Sequence, residues 1–430
     1  MLCLWVEEVH ETGAEAEVRY IDEYIDLRDE RRSPRLGITW RLPDVGDIRH
    51  VRIHPSPEEQ PVTLANIHKQ PVLVEATTEL LDKIPKPGAI CNQINFRLDL
   101  VFRMKMAPSI YLSIGLAILY AATADAQLSQ SFYAKSCPGG VQAVANVVSA
   151  AVRSDRRNAA GLLRLHFHDC FVNGCDGSVL LSSTPGNKAE KDAPPNLSLQ
   201  GFGIIDQAKA AIERTCPGVF SCSDILALAA RDAIATIGGP SWSVPLGRRD
   251  GTISRASAAS SNLPGDGFSF RQLLQNFNSK GLSQSDLIVL SGAHTIGLTH
   301  CSKVTPRIYN FPRSASGADP YLNTTYVREK RGVCPNSASS ANKFVALDSS
   351  KGGQTFDINY FTNVLDHKAI FKSDDALIST SSGLKQVLDL VRSPSSKFFS
   401  QFGLAMQKMG RIQVLTGSQG EIRKVCSKKN

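Results

Sequence analysis

One stretch of the 430-residue chain, from Leu162 to Ser178 (LLRLHFHDCFVNGCDGS), contains many of the side chains that could carry a reaction. Arg164 and His168 are four residues apart, so they share one face if the stretch is helical. An imidazole can accept a proton near neutral pH, and a guanidinium stabilises negative charge that develops on a neighbouring oxygen. A structural Arg and His would look the same, so the pair alone does not establish general-base chemistry.

The same stretch offers two kinds of metal site. Three side chains carry the hard oxygens that Ca²⁺ prefers, although not at EF-hand spacing: Asp169, Asp176 and Ser178. The alternative is a zinc hydrolase site with ligands from His166, His168 and Asp169. On a helix the two imidazoles would diverge by about 200°, which disfavours a shared zinc ion.

The surrounding sequence predicts a mostly helical scaffold. Val141–Val152 is apolar at helical spacing, and SCSD at 221–224 has capping-box form ahead of the apolar run Ile225–Ala235. Ser283 repeats this form before another apolar run. A further helical face is formed by Phe398, Phe402, Ala405 and Met409. We therefore expect residues 127–430 to form one all-α domain with at most a small β-hairpin.

Charge and cysteine content separate the first 105 residues from the rest. Residues 1–105 hold 14 Lys and Arg against 18 Asp and Glu, a net charge of −4, whereas residues 106–430 hold 34 against 22, a net charge of +12. Eight of the ten cysteines lie in the second part, which suggests four disulfides and an oxidising compartment. Residues 1–105 are an extension to which we assign no function, although short apolar runs such as Pro71–Val74 could be strands.

Residues 103–126 (RMKMAPSIYLSIGLAILYAATADA) have the form of a secretion signal, with basic residues, an apolar run and a small-residue cleavage site ending at Ala126. The apolar run is shorter than the roughly 20 residues that span a bilayer, so we expect no stable membrane span. Because such a signal acts at the start of a chain, we assign 106–126 as signal-peptide-like and interpret residues 1–105 as a gene-model artefact or a fusion. The alternative is that the segment is a signal anchor.

Two motifs carry a resemblance to a known family. RLHFHDCFVNGCDGS at 164–178 resembles the distal motif of the secretory plant (class III) haem peroxidases, and DLIVLSGAHTIG at 286–297 resembles their proximal haem motif. The resemblance covers about 127–430 and leaves residues 1–105 outside it. It implies the haem peroxidase fold, in which two helical halves sandwich the haem.

The resemblance implies roles for residues around a haem b. His294 would be the axial ligand of the iron, with Asp374 accepting its other imidazole N–H. His168 would take a proton from hydrogen peroxide and return it to the leaving oxygen, and Arg164 would assist cleavage of the O–O bond.

Further residues would support this site. Asn196 would hold His168 in its working tautomer with Glu190 behind it, Phe167 would restrict access to the iron, and the Pro264 carbonyl would contact the donor. Because this role would bury Asn196, Asn323 is the better candidate of the two glycosylation sequons.

Two Ca²⁺ sites are implied as well. The ligands of the distal ion, with Glu190 linked through water, would be Asp169, Val172, Gly174, Asp176 and Ser178. Those of the proximal ion would be Thr295, Asp348, Ser350, Thr355 and Asp357. The segment between the two proximal aspartates is one residue longer than usual, so its hydroxyl ligand falls on Ser350 or is replaced by Lys351, which cannot ligate while protonated. The disulfides implied are Cys137–Cys216, Cys170–Cys175, Cys222–Cys426 and Cys301–Cys334.

The resemblance thus implies a secreted, monomeric enzyme of the apoplast, rather than the vacuole, that reduces hydrogen peroxide and oxidises phenolic donors by one-electron steps. Wall phenolics, lignin precursors and a role in oxidative stress are all compatible with it. The +12 charge suggests attraction to acidic wall polysaccharide, whereas no aromatic-interleaved basic patch indicates nucleic-acid binding. Two alternatives are a non-enzymatic wall protein without a Soret band and a zinc hydrolase with stoichiometric zinc.

Overall fold

The structure is a computed structural model. It describes residues 128–348 and 352–430, and before residue 75 it describes only the backbone of five strands. The chain divides into two compact units, Met1–Lys105 and Met106–Asn430. The signal-like stretch at 103–126 lies outside the described residues, as does the proposed calcium ligand Ser350 together with Lys351.

The first unit contains a five-stranded antiparallel sheet in the order β1-β2-β5-β4-β3. Its strands are β1 (Val9–Thr12), β2 (Glu15–Val18), β3 (Gly37–Leu42), β4 (Gly46–His54) and β5 (Leu73–Val74). The apolar run Pro71–Val74 ends in β5, as its composition predicts.

The second unit is helical, and the all-α prediction for it is confirmed. The first five helices are α1 (Gly140–Ser154), α2 (Arg157–Val172), α3 (Phe202–Glu213), α4 (Cys222–Thr236) and α5 (Ala256–Asn262). The next four are α6 (Phe270–Asn278), α7 (Gln284–Ser291), α8 (Cys301–Ile308) and α9 (Thr324–Val333). The last four are α10 (Asn359–Leu365), α11 (Lys372–Ala376), α12 (Ser381–Arg392) and α13 (Ser395–Met409). None of these described helices has the length and hydropathy needed to span a membrane.

The first half of this unit is built around α2 and α4, which pack against each other. α1 and α3 also pack against α4. Helix α4 begins where the sequence predicts, because the Ser221 hydroxyl accepts the Asp224 N–H at 3.1 Å. An N-cap of this kind contributes about 1 kcal/mol. The buried helix α4 therefore gives α2, which carries Arg164 and His168, a rigid support.

In the second half, α7 packs against α6, α12 and α13. The apolar face predicted near the C-terminus lies in α13 and is buried. Its Phe398 and Phe402 both contact Phe356, and Phe398 also contacts Phe361 of α10. Helix α7 starts with the predicted capping box at Ser283 and ends directly before the short 3-10 helix Gly292–Thr295. These contacts fix the backbone that carries His294.

One small sheet accompanies the helices, formed by the antiparallel strands β6 (Leu298–His300) and β7 (Phe344–Ala346). It is as small as predicted, but α8 and α9 lie between its strands, so it is not a hairpin. A second apolar cluster lies beside it and includes Cys301, Val304, Ile308, Tyr326 and Val345.

Four disulfides close this unit, in the pairing that the family resemblance implies. They are Cys137–Cys216, Cys170–Cys175, Cys222–Cys426 and Cys301–Cys334. The Cys222–Cys426 bond joins the start of α4 to the C-terminal segment across 204 positions.

Candidate active site

Helix α2 brings Arg164 and His168 together on one face, as their spacing predicts. Arg164 Nε donates to His168 Nε2 at 3.1 Å. His166 points elsewhere and contacts the disulfide sulfur of Cys170, 3.7 Å from its Nδ1. His168 faces Asn196 and Arg164 instead, so the two imidazoles of the zinc alternative do not converge on one ion.

Hydrogen bonds fix the tautomer of His168. Asn196 Nδ2 donates to the Glu190 carbonyl at 2.8 Å, so Asn196 Oδ1 faces His168 Nδ1 at 2.6 Å. An oxygen acceptor requires the proton on Nδ1, and the lone pair on Nε2 therefore accepts from Arg164. His168 is thus held neutral with Nε2 as its basic atom, the state that a general base needs.

The environment keeps this base neutral over a wide pH range. Burial and then the Arg164 charge lower the pKa of His168 to about 3, while the hydrogen bond to Asn196 acts in the opposite direction. Burial also lowers the pKa of the Arg164 guanidinium. Arg164 nevertheless stays charged, because a guanidinium is effectively always protonated in proteins.

Two residues that the sequence analysis missed orient Arg164. Its Nη2 donates to the Pro195 carbonyl at 2.9 Å, and its Nη1 donates to the Ser198 hydroxyl at 3.0 Å. Both residues flank Asn196, so a single loop orients the guanidinium and the imidazole. The motif PPN at 194–196 was the only sequence signal for this loop.

Phe167 precedes His168 on α2, and Pro264 follows a helix that packs against α2. The Phe167 ring is half-buried, with its centroid 5.5 Å from that of His168 and 4.4 Å from that of Phe171. Pro264 follows α5 and is also half-buried. Helix α5, which ends two residues before Pro264, packs against α2 and the short helix Pro194–Asn196.

The second imidazole is held by a buried carboxylate. His294 lies in the short helix after α7, and its Nδ1 is 2.8 Å from Asp374 Oδ1. The Tyr360 hydroxyl donates to the same Oδ1 at 2.8 Å, and the Phe371 N–H donates to Oδ2 at 3.2 Å. Tyr360 is a functional candidate that no local sequence pattern had indicated.

The donor set fits a haem iron. His294 is 39 % exposed whereas Asp374 is 5 % exposed, so the imidazole faces accessible space and the carboxylate does not. Nδ1 is taken by Asp374, and Nε2 has no hydrogen-bond partner among the residues described. An imidazole oriented by a carboxylate, with its other nitrogen available, is the usual arrangement of a metal-binding histidine.

The loop after α2 gathers buried oxygens. Asp169 is fully buried and its Oδ2 accepts the Gly177 N–H at 2.9 Å, while Asp176 is 5 % exposed. Gly174 and Gly177 have φ of +91° and +67°, which allows the chain to curl around these carboxylates. Val172 ends α2 immediately before this loop.

These oxygens fit a calcium ion. Burial raises the pKa of Asp169, of Asp176 to about 6 and of Glu190 to about 8, and the nearby Asp176 charge adds to the increase at Asp169 and Glu190. The Ser178 hydroxyl and Glu190 Oε2 are buried without a hydrogen-bond partner in the described part of the chain. A divalent cation would neutralise the carboxylates and use oxygens that are otherwise unpaired.

Part of the proximal calcium set also comes together. Thr295 Oγ1 lies 3.2 Å from Asp357 Oδ1 and 3.5 Å from the Thr355 carbonyl. Asp348 is buried and accepts from Asn359, which in turn donates its N–H to Asp357. The hydroxyl ligand expected at Ser350 stays a prediction, because that residue is not described.

Comparisons with known proteins agree with this geometry. A family model described as peroxidase matches residues 144–393. The chain is 46 % identical over 305 residues to Peroxidase 30 of Arabidopsis thaliana, which covers 71 % of this chain and 92 % of the relative. It is 47 % identical over 307 residues to Peroxidase 3 of the same plant, covering 71 % and 93 %, and 46 % identical over 303 residues to Peroxidase 5 of Vitis vinifera, covering 70 % and 91 %.

The chain therefore belongs to the peroxidase family, which makes it an oxidoreductase that reduces hydrogen peroxide while oxidising a donor. Its plant relatives confirm the resemblance to the class III peroxidases. Membership of this family implies a haem cofactor.

Proposed function

We propose that residues 127–430 form a secreted, monomeric haem b peroxidase with two Ca²⁺ ions that oxidises phenolic donors by one-electron steps. The observation that carries the proposal is the matched orientation of two imidazoles. Asn196 holds Nδ1 of His168 and Asp374 holds Nδ1 of His294, so each ring has its Nε2 available for chemistry. In this proposal His294 Nε2 binds the iron and His168 Nε2 handles protons.

The haem, when bound, supplies the redox chemistry, and the side chains supply proton transfer and charge stabilisation. Hydrogen peroxide entering the site replaces the hydrogen bond between Arg164 Nε and His168 Nε2. His168 Nε2 takes the proton from one peroxide oxygen and returns it to the other as the O–O bond breaks. Arg164, held by Pro195 and Ser198, stabilises the negative charge on the departing oxygen.

Access to the site favours small aromatic donors. The Phe167 ring lies edge-on to the His168 ring, with centroids 5.5 Å apart, and in this proposal it would restrict the approach of a phenol to the iron. The carbonyl of Pro264 would accept the phenolic O–H. Restricted access and one hydrogen-bond acceptor support a small phenolic donor.

A substitution at His168 tests the proposal. In His168→Ala we expect turnover of a guaiacol-type phenol with hydrogen peroxide to fall by about 10²–10⁴-fold, because a positioned general base contributes about that much. The matched control is His300→Ala, a histidine on β6 whose imidazole hydrogen-bonds to the Asn342 carbonyl and packs on the Phe344 ring. A His168→Ala enzyme with the turnover of the control would refute the catalytic role.

The four disulfides of this chain support an extracellular location. Disulfides persist in the oxidising environment of secreted proteins and are rare in the cytosol. N-terminal sequencing of the secreted protein should begin at Gln127, and recovery of peptides from residues 1–105 in native protein would contradict our interpretation of the extension. The elution volume on a sizing column tests the monomer.

The net charge of +12 over residues 106–430 supports binding to acidic wall polysaccharide. One basic cluster is exposed and consists of Lys424, Lys428 and Lys429. The Asn430 side chain connects the two ends of this segment, because it accepts from the Lys424 N–H and donates to the Ile422 carbonyl. We expect elution from polygalacturonate at higher salt than a neutral control protein, and at lower salt after all three lysines are changed to Gln. Equal elution of the protein and the neutral control would exclude wall binding.

A further inference from the structure

Asp374, the partner of His294, carries two hydrogen-bond donors on one oxygen. The His294 Nδ1 and the Tyr360 hydroxyl each lie 2.8 Å from Asp374 Oδ1. The Phe371 N–H occupies the other oxygen at 3.2 Å. Because the two contacts to Oδ1 have the same length, the phenol competes with the imidazole for the charge of that oxygen.

The three groups are held so that this competition persists. Tyr360 and Asp374 are both buried, so bulk water does not replace the hydroxyl. The Tyr360 ring packs edge-on against the His294 ring, with centroids 6.0 Å apart, and against Phe361 in the same way at 5.0 Å. Hydrogen bonds to a charged acceptor are strong in such a site, about 1.5–3 kcal/mol each.

No arginine or lysine takes over the charge of Asp374. The nearby Arg307 is ion-paired with Asp319 at 2.7 Å and with Asp375 at 2.6 Å. In the described residues the one basic side chain paired with Asp374 is His294 itself. Tyr360 is therefore the side chain that can adjust how strongly Asp374 polarises the imidazole.

We propose that Tyr360 is a positioning residue that moderates electron donation from His294 to the haem iron, by sharing Asp374 Oδ1. The inference rests on the proposed function, in which His294 binds the iron. A carboxylate partner raises the basicity of a metal-bound imidazole. A second donor on the same carboxylate oxygen withdraws part of that effect, so the hydroxyl of Tyr360 keeps His294 a weaker electron donor than Asp374 alone would make it.

The test is Tyr360→Phe, which removes one oxygen atom and keeps the ring that packs on His294. We expect a more negative Fe(III)/Fe(II) reduction potential, because a more basic imidazole stabilises ferric iron. The expected change in the Fe(III)/Fe(II) equilibrium is up to tenfold, which is about 59 mV for one electron. Resonance Raman spectra of the ferrous protein should show the iron–histidine stretch at higher frequency.

The matched control is Tyr326→Phe. Tyr326 is also buried, and its hydroxyl has no hydrogen-bond partner among the described residues. Removal of the Tyr326 hydroxyl should leave both the reduction potential and the iron–histidine stretching frequency unchanged. A Tyr360→Phe protein with an unchanged or less negative potential, or a shift equal to that of Tyr326→Phe, would overturn the inference.

A second variant covers the case in which Tyr360→Phe does not fold. Fluorotyrosine at position 360 keeps the hydroxyl and makes it a stronger donor, so the potential should move in the less negative direction. No shift, or a shift in the opposite direction, would also overturn the inference. Failure of the proposed function looks different, because the unaltered protein would then show no Soret band at all.

Discussion

At the scale of single residues, the proposed function depends on a histidine that is buried yet must accept a proton. His168 resolves this conflict by hydrogen bonds, because Asn196 fixes the proton on Nδ1 and leaves Nε2 basic. The same burial lowers its pKa to about 3, so the imidazole does not become protonated in mild acid.

The pH dependence of the reaction with peroxide follows from that pKa. A base that protonates near pH 3 should give a second-order rate constant that is flat from about pH 8 to about pH 4. Stopped-flow mixing of the ferric enzyme with peroxide measures it. In Arg164→Gln the neighbouring charge that helps to lower the pKa is gone, so the midpoint should move to higher pH. A midpoint near 6.5 in the unaltered enzyme would contradict this account.

Local contacts of this site could be predicted from sequence, and distant ones could not. Arg164 and His168 are four positions apart on one helix, and spacing alone places them together. Arg164 and Pro195 are 31 positions apart, and no periodicity reports such a pair. The contact of His294 with Asp374, 80 positions away, was implied only by resemblance to the family. The Tyr360 hydroxyl bond was not anticipated, because it depends on how α10 packs beside α11.

At the scale of elements, the loop after α2 joins the catalytic helix to a cluster of buried carboxylates. Asp169 belongs to α2 itself, one residue after His168, while Asp176 and Ser178 follow in the loop. Any ion bound there fixes the C-terminal end of the helix that carries the base. In the proposed function, the loop would therefore contribute to catalysis through the position of α2.

Calcium removal should destabilise the protein in a pH-dependent way. Without the ion, the folded state favours protonated Asp176 and Glu190, whose pKa values are raised to about 6 and about 8. The stability of the calcium-free protein is therefore highest below about pH 4 for these groups and is lost as pH rises toward 8. Chelation should lower the melting temperature by at least about 5 °C at pH 8 and by less at pH 5, measured by calorimetry and reversed by added Ca²⁺. Equal melting temperatures with and without calcium at pH 8 would show that no calcium ion stabilises this cluster of carboxylates.

At the scale of the whole molecule, the second unit is a helical scaffold closed by long-range disulfides. The number of bonds could be expected from eight cysteines, but their pairing could not, since eight cysteines allow 105 pairings. Among the described helices, α1, α4, α7 and α13 followed from apolar spacing and capping residues, because both signals are local. The five strands of the first unit were expected only at β5, since short apolar runs do not determine a sheet order.

The longest disulfide loop should contribute most to stability. In the chain-entropy model the Cys222–Cys426 bond, across 204 positions, contributes about 5 kcal/mol, and the Cys170–Cys175 bond, across five, about 2 kcal/mol. Replacing both cysteines of each pair by Ala, and measuring denaturant unfolding with calcium present, compares the two losses. A smaller loss for the Cys222 and Cys426 double variant than for the Cys170 and Cys175 double variant would contradict the entropic explanation.

The central claim is that a haem iron lies between the proton-handling imidazole of His168 and the ligand imidazole of His294. The most direct measurement is the visible absorption spectrum of the purified protein before and after one equivalent of hydrogen peroxide. We expect a Soret band that shifts within the mixing time after peroxide is added and returns to its original position when a phenol is added. A protein that stays colourless after reconstitution with hemin, or a Soret band that peroxide leaves unchanged, would contradict it.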